Sequence, residues 1–358
     1  MTGPLRTVEL PVVPPLRESY RHALTAAAAG AVSRRAGRAG RGGATTRLPG
    51  VTLSAHGVRA DADRLTAYQH LVGEPGTDVL PAGFVHVLAF PVATALMVRD
   101  DFPLPLLGLV HLANRVEQRR PVRLGEELDV RSWATGLRAH RSGTQVDLVS
   151  EVAADGVTAW RGVSTYLAKG VRLAGSAGSG SEPGSAPTPA DDDGTGSATD
   201  EGTDHRPFEP PVPTASWRLP ADTGRRYAAV SGDVNPIHLW APAARAFGFR
   251  GAIAHGTFTA ARALAAVGAV RGESFVWSVD FAAPVVLPTT VAVRVARSDP
   301  STGSSTGAPT GTSTGAPTGT PAGTPPGSSA GTGHDLTVWD PRRRRPHLTG
   351  SVSPLPTA

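Results

Sequence analysis

The chain runs through one order of elements twice, and each run reads as a short helix, an apolar central helix and a meander of strands. In the first half, apolar periodicity predicts a helix over 63–72, a helical run over 80–98 interrupted by Pro91, and strands over 107–118, 126–135, 143–152 and 157–168. The second half repeats the series: a helix over 220–230, a short one from Ala241 to Gly248, a central one from near Gly256 to Gly268, then strands over 274–282, 289–297, 334–339 and 346–352. Residue echoes support the duplication. Tyr68 stands five positions before Gly73 as Tyr227 does before Gly232, and Arg120-Pro121-Val122 parallels Ala283-Pro284-Val285. A helix followed by a strand meander implies an antiparallel sheet packed round that helix, an α+β architecture. At 358 residues the chain is long enough for two such units, each with its own core.

The second copy carries the chemistry. Ser231-Gly232-Asp233-Val234-Asn235-Pro236-Ile237-His238 places a carboxylate and an imidazole five residues apart in a stretch that Gly232 and the Asn-Pro step prevent from being one helix. A turn there can bend Asp233 and His238 toward one point, as general acid/base chemistry requires. Ala254-His255-Gly256 comes next, before the central helix that carries Phe258. A helix starting near Gly256 offers N–H groups without intrahelical acceptors at its positive end, suited to a developing oxyanion. This combination suits proton removal beside a carbonyl with loss or gain of water at the next carbon. Duller readings weigh against other chemistry. Ser231 lacks the flanking glycines of a nucleophile elbow, Asn235 suits an Asx turn before proline, His255 is expected to orient the turn, and Asp233 with His238 makes only two good metal ligands with no third apparent nearby.

These residues resemble a known family. Y-x-x-x-S-G-D-x-N-P-I-H followed by A-H-G resembles the hydratase 2 motif of the MaoC-like, hot-dog-fold (R)-specific enoyl-CoA hydratases. The wider run RRYAAVSGDVNPIH, with IAHGTFTAA and the VDLVSEV strand, is similar to the double-hot-dog 3-hydroxyacyl-thioester dehydratases of actinobacteria. The resemblance implies a double hot dog, two antiparallel sheets each wrapped round a central helix and lying side by side. It implies reversible hydration of trans-2-enoyl thioesters to (R)-3-hydroxyacyl thioesters by Asp233, His238 and the Gly256 N–H. Substrate contacts are expected from Asn235, Phe258 and, in a catalytically silent first half opened to house an acyl chain, Phe84 and Leu88. That half lacks the Asn-Pro-x-His element, and its Ala55-His56-Gly57 triplet lies upstream of Tyr68. No metal or organic cofactor is expected, because coenzyme A or the carrier thioester belongs to the substrate and itself acidifies C2. Two alternatives stay open: a carrier-protein-dependent dehydratase of fatty-acid synthesis, and a non-enzymatic acyl-thioester-binding protein.

Composition narrows the partners. The formal charge of +5 comes almost wholly from arginine, since Lys169 is the one lysine, and no stretch interleaves basic and aromatic residues as nucleic-acid binders do. With no cysteine there is no disulfide framework or thiolate site. No run approaches 18 apolar residues, so no membrane span is expected, and the alanine-rich 19–32 segment with arginines after it makes a poor signal peptide. A cytoplasmic enzyme, monomeric as a covalent pseudo-dimer or a homodimer, is the expectation. Residues 1–50 read as an N-terminal arm in which 19–32 can form one short helix and the basic 34–43 stretch stays solvated, 51–170 as the first repeat, 171–205 as a disordered Gly/Ser/Pro/Asp linker and 206–358 as the catalytic repeat. Within the last, the repeated Ser-Thr-Gly-Ala-Pro tract over 298–333 reads as a disordered insertion, and 342–345 as an exposed turn.

Overall fold

The computed structural model describes residues 5–35, 47–172, 208–298 and 333–356, so most of the linker and insertion lies outside the described residues. The first half comprises β1 (Arg6–Glu9), α1 (Leu16–Arg35), β2 (Val51–Val58), α2 (Ala62–Val72), β3 (Val79–Leu80), α3 (Ala82–Met97), β4 (Leu109–Gln118), β5 (Val122–Arg123), β6 (Leu128–His140), β7 (Gly143–Ala154) and β8 (Val157–Lys169). The second comprises β9 (Ala215–Leu219), α4 (Thr223–Ser231), α5 (Pro236–Leu239), α6 (Ala241–Ala246), α7 (Gly256–Val267), β10 (Phe275–Phe281), β11 (Thr289–Arg297), β12 (His334–Asp340) and β13 (Arg345–Pro354).

Apart from β1, the strand order shows the duplication directly. One eleven-stranded sheet runs β1-β2-β6-β7-β8-β4-β10-β13-β12-β11-β9, so the order β2-β6-β7-β8-β4 of the first repeat is met in reverse by β10-β13-β12-β11-β9 of the second. The seam is the antiparallel β4–β10 pair, Phe275 opposite Gln118 through Asp280 opposite Ala113. The two expected sheets are thus joined edge to edge into one, which removes an exposed edge from each repeat. Helices α3 and α7 are the two central helices. This is the double hot-dog arrangement.

The sequence echoes have physical counterparts. Gly73 and Gly232 both end their helices in the left-handed conformation, at φ 85° and 76°, and each returns its N–H to the carbonyl four residues back. Tyr68 and Tyr227 meet between the repeats with ring centroids 6.1 Å apart. The stretches after Pro121 and Pro284 each run beside the entry to a central helix, Val122 pairing with Leu80 and Val286 bridging Ile253. At the ends of the insertion Arg297 pairs with His334, so β11 and β12 are hairpin partners on either side of it.

Two expectations change. Helix α3 continues through Pro91, although proline removes one ladder hydrogen bond at a cost of about 3 kcal/mol. Its residues are buried on almost every side, and that packing outweighs the local penalty. The N-terminal arm is also tied to the first repeat: its expected helix over 19–32 falls within α1, and most of the basic 34–43 stretch lies outside the described residues. Strand β1 joins the sheet parallel to β2, and α1 buries Leu16 and Tyr20 to 4 % exposure each.

Candidate active site

Helix α4 must stop at Gly232, and the turn beyond it is a run of small local closures. The Asp233 N–H donates to Ser231 Oγ (3.1 Å), so the serine shapes the turn. The Asn235 N–H donates to Asp233 Oδ1 (3.2 Å), and Asn235 Oδ1 accepts from the Ile237 N–H (3.4 Å), capping the single turn of α5 that Pro236 begins. That turn delivers His238 back toward Asp233. His238 Nδ1 donates to the Ile253 carbonyl (2.9 Å), which fixes the neutral tautomer and leaves Nε2 as a lone pair.

The third side chain of the site arrives from α7. His255, immediately before the helix, stacks on His238 at 3.7 Å between ring centroids and donates Nε2–H to the Asp233 carbonyl (3.1 Å). One side-chain nitrogen or oxygen from each of Asp233, His238 and His255 lies within 4.8 Å of the other two, so the third metal-ligand candidate that the sequence did not reveal is present. Its Nε2 already carries the proton given to a carbonyl, which suits turn-holding better than ligation.

Burial sets the charge states. It would push the Asp233 carboxyl up, but His255, His238, the Tyr20 hydroxyl and the Asn235 N–H together outweigh it and hold the group below the usual carboxylate range. Burial lowers His238 despite the neighbouring Asp233 carboxylate. Burial, and then His238, pushes His255 down to about 3. Near neutral pH the site therefore holds a carboxylate beside two uncharged imidazoles, and the 3.7 Å approach of His255 Nε2 to Asp233 Oδ2 is a dipolar contact rather than an ion pair.

These groups face a cavity of about 1030 Å³ whose wall includes Asp233, Asn235, His238, His255 and Gly256 from the second half, with His86, Val87, Phe90, His111 and Tyr166 from the first. Gly256 is the first residue of α7, so its N–H has no intrahelical acceptor. A Cβ there would stand 3.0 to 3.3 Å from the Phe281 ring, so glycine keeps open the narrow approach to that N–H. At the first repeat's equivalent position stand Pro81 and the buried Ala82, with no histidine. His56 lies instead on β2, paired with Asp129 (2.7 Å) and half exposed.

Asp233, His238, Gly256 and Asn235 thus share one cavity, whereas Phe84, Leu88 and Phe258 do not line it. Phe84 packs on Tyr68 at 5.1 Å and Phe258 on Tyr227 at 5.6 Å, duplicated core contacts made by the third residue of each central helix. The face of α3 toward the cavity carries His86, Val87 and Phe90 instead, and apolar composition alone does not reveal which face of an all-round apolar helix is which. Sequence reasoning also missed Tyr20, whose hydroxyl donates to Asp233 Oδ1 at 2.6 Å, and Arg64, whose Nε and Nη2 donate to the Val230 and Ser231 carbonyls (2.6 and 2.9 Å). No periodic pattern connects residues so far apart.

Comparison with known proteins agrees with this architecture. The MaoC like domain family matches residues 199–314. The chain is 36% identical over 256 residues to 3-hydroxyacyl-thioester dehydratase X of Mycobacterium tuberculosis (strain ATCC 25618 / H37Rv), an alignment covering 71% of this chain and 83% of the relative. The crystal structure of HtdX of Mycobacterium tuberculosis superposes with a TM-score of 0.63 at 30% identity, covering 85% of this chain and all of that one. A MaoC-like dehydratase from Phytophthora capsici shares the fold, with a TM-score of 0.55 at 16% identity over 85% of this chain and 94% of the other. With the motif, the duplicated fold and this similarity in hand, the chain belongs to the MaoC-like dehydratase family.

Proposed function

We propose that the protein is a hydro-lyase that reversibly hydrates trans-2-enoyl thioesters to (R)-3-hydroxyacyl thioesters. The observation that carries this reading is the convergence, within one cavity, of the Asp233 carboxylate, the unprotonated Nε2 of His238 and the Gly256 N–H at the open end of α7. One side-chain oxygen of Asp233 lies within 4.8 Å of one ring nitrogen of His238, a separation that one water hydrogen-bonded to both spans.

In the hydration direction, His238 Nε2 takes a proton from that water while Asp233 Oδ2 accepts a hydrogen bond from its other O–H. The water oxygen bonds to C3, the C2=C3 electron pair moves toward the thioester oxygen, and the Gly256 N–H at the positive end of α7 stabilises the resulting enolate. The enolate then collapses, and C2 takes the proton from His238. Water has added across the double bond, and the enzyme is unchanged. Asp233 also stabilises the transient imidazolium, the role of a carboxylate beside a histidine base. No step calls for a metal or an organic cofactor. The name of the Mycobacterium tuberculosis relative supports the thioester substrate, and exposed Arg250 and Arg343 in the cavity wall suit the phosphates of coenzyme A or of a carrier's phosphopantetheine arm.

The test monitors loss of enoyl ultraviolet absorbance with 2-enoyl thioesters on coenzyme A and on carrier protein, resolving the product's stereochemistry. Asp233→Asn and His238→Gln are each expected to lower kcat by roughly 10²–10⁴. Wild-type rates from both variants would leave only the fold assignment standing.

A further inference from the structure

We propose that Tyr20, carried by a helix outside both repeats, is a positioning residue for the reaction: its hydroxyl commits one Asp233 carboxylate oxygen and leaves Oδ2 for the water. This rests on the reading of Asp233 as part of the catalytic pair.

Four observations carry it. The Tyr20 hydroxyl donates to Asp233 Oδ1 at 2.6 Å, the length of a charge-assisted O–H···O⁻ bond, across 213 residues of chain. Oδ1 also accepts the Asn235 N–H, so that oxygen has two donors, whereas among the described residues Oδ2 has only the 3.7 Å approach of His255. Helix α1 sits over the turn itself, because a methyl of Leu16 lies 3.6 Å from where a Cβ on Gly232 would stand. Finally, Tyr20 lines the same cavity as the catalytic pair while remaining only 4 % exposed. A buried ring there needs only phenylalanine for packing. A buried hydroxyl is costly without a partner, and its partner is the one carboxylate the chemistry uses.

The physical consequence is orientational. A carboxylate rotates about its Cβ–Cγ bond in a broad torsional well, and without the short Tyr20 bond only the longer Asn235 N–H contact (3.2 Å) holds Oδ1, so the group samples a wider range of orientations about His238. Holding it costs no reorganisation at the moment of reaction, whereas a misplacement of about 1 Å is enough to lose about 10² in rate.

The experiment uses the full chain and three variants, Tyr20→Phe, Asp233→Asn and the double variant, assayed on a 2-enoyl thioester with melting temperatures measured alongside. The expected result is that Tyr20→Phe lowers kcat by about 10- to 100-fold with KM nearly unchanged and the protein still folded, its melting temperature lowered by no more than a few degrees. In the Asp233→Asn background the same change is expected to cost little further, because the oriented group is already gone. Wild-type kcat in Tyr20→Phe overturns the proposal, as does an equal loss in both backgrounds or a loss confined to KM. If Asp233→Asn keeps full activity, the catalytic assignment fails first. If Asp233→Asn is inactive while Tyr20→Phe is not, only the role of Tyr20 fails.

Discussion

Gly224 sits in the first turn of α4, with its Cα turned toward the backbone of His238. A methyl added there would stand 3.0 Å from the His238 carbonyl carbon and nearer still to its oxygen. No rotamer change relieves contact with backbone, so α5 must retreat by about 1 Å to reach ordinary van der Waals separation. Elsewhere in a helix, glycine to alanine is stabilising by roughly 0.5–1 kcal/mol. Here overpacking at about 1–3 kcal/mol opposes that gain, and the net expectation for Gly224→Ala is a loss of up to about 2.5 kcal/mol. The functional effect is larger, because the displaced residue is the proposed base and a misplacement of about 1 Å costs about 10² in rate. The assay pairs denaturant unfolding with enoyl-thioester hydration, and kcat is expected to fall far more than KM rises. A Gly224→Ala protein that is more stable than the parent and fully active would refute the reasoning.

Three further outcomes are expected. Arg64→Met should cost about 2–3 kcal/mol in denaturant unfolding and lower kcat, since it unties two carbonyls at the end of α4, and charged hydrogen bonds are worth about 1.5–3 kcal/mol. Glu74→Ala should destabilise by about 3–5 kcal/mol, because it strands Arg271 (2.9 Å away and largely buried) across the repeat boundary, whereas Glu74→Leu with Arg271→Met should recover most of the loss. Stability should fall as pH drops below about 6.5, because burial holds His86 at about 4 and His111 and His255 at about 3. Folded values below the unfolded one mean that the unfolded chain takes up the protons, at about 1.4 kcal/mol per pH unit for each histidine until the folded value is reached. Unfolding curves superimposable at pH 7.5 and 5 would contradict this.

Among the described residues no helix is long and apolar enough to cross a membrane, and the continuous sheet joins the first repeat, which lacks the Asn-Pro-x-His element, to the second. The first repeat supplies about a third of the residues that line the cavity, the Arg64 ties and, through β4, the seam on which β10 is laid.

The sequence by itself determined the duplicated order of elements, because periodicity, glycine stops and proline starts act over a few residues and need no tertiary partner. For the same reason the Ser231–His238 turn was legible, since each of its closures joins residues two or three apart. Only the tertiary structure decided which face of α3 meets the cavity, that Phe84 and Phe258 belong to the core, and that Pro91 does not end its helix. Those outcomes depend on what packs around a uniformly apolar helix. It also decided that Tyr20 reaches Asp233 and that His255 completes the cluster, since both contacts join distant elements and are set by how α1 and α7 pack against that turn.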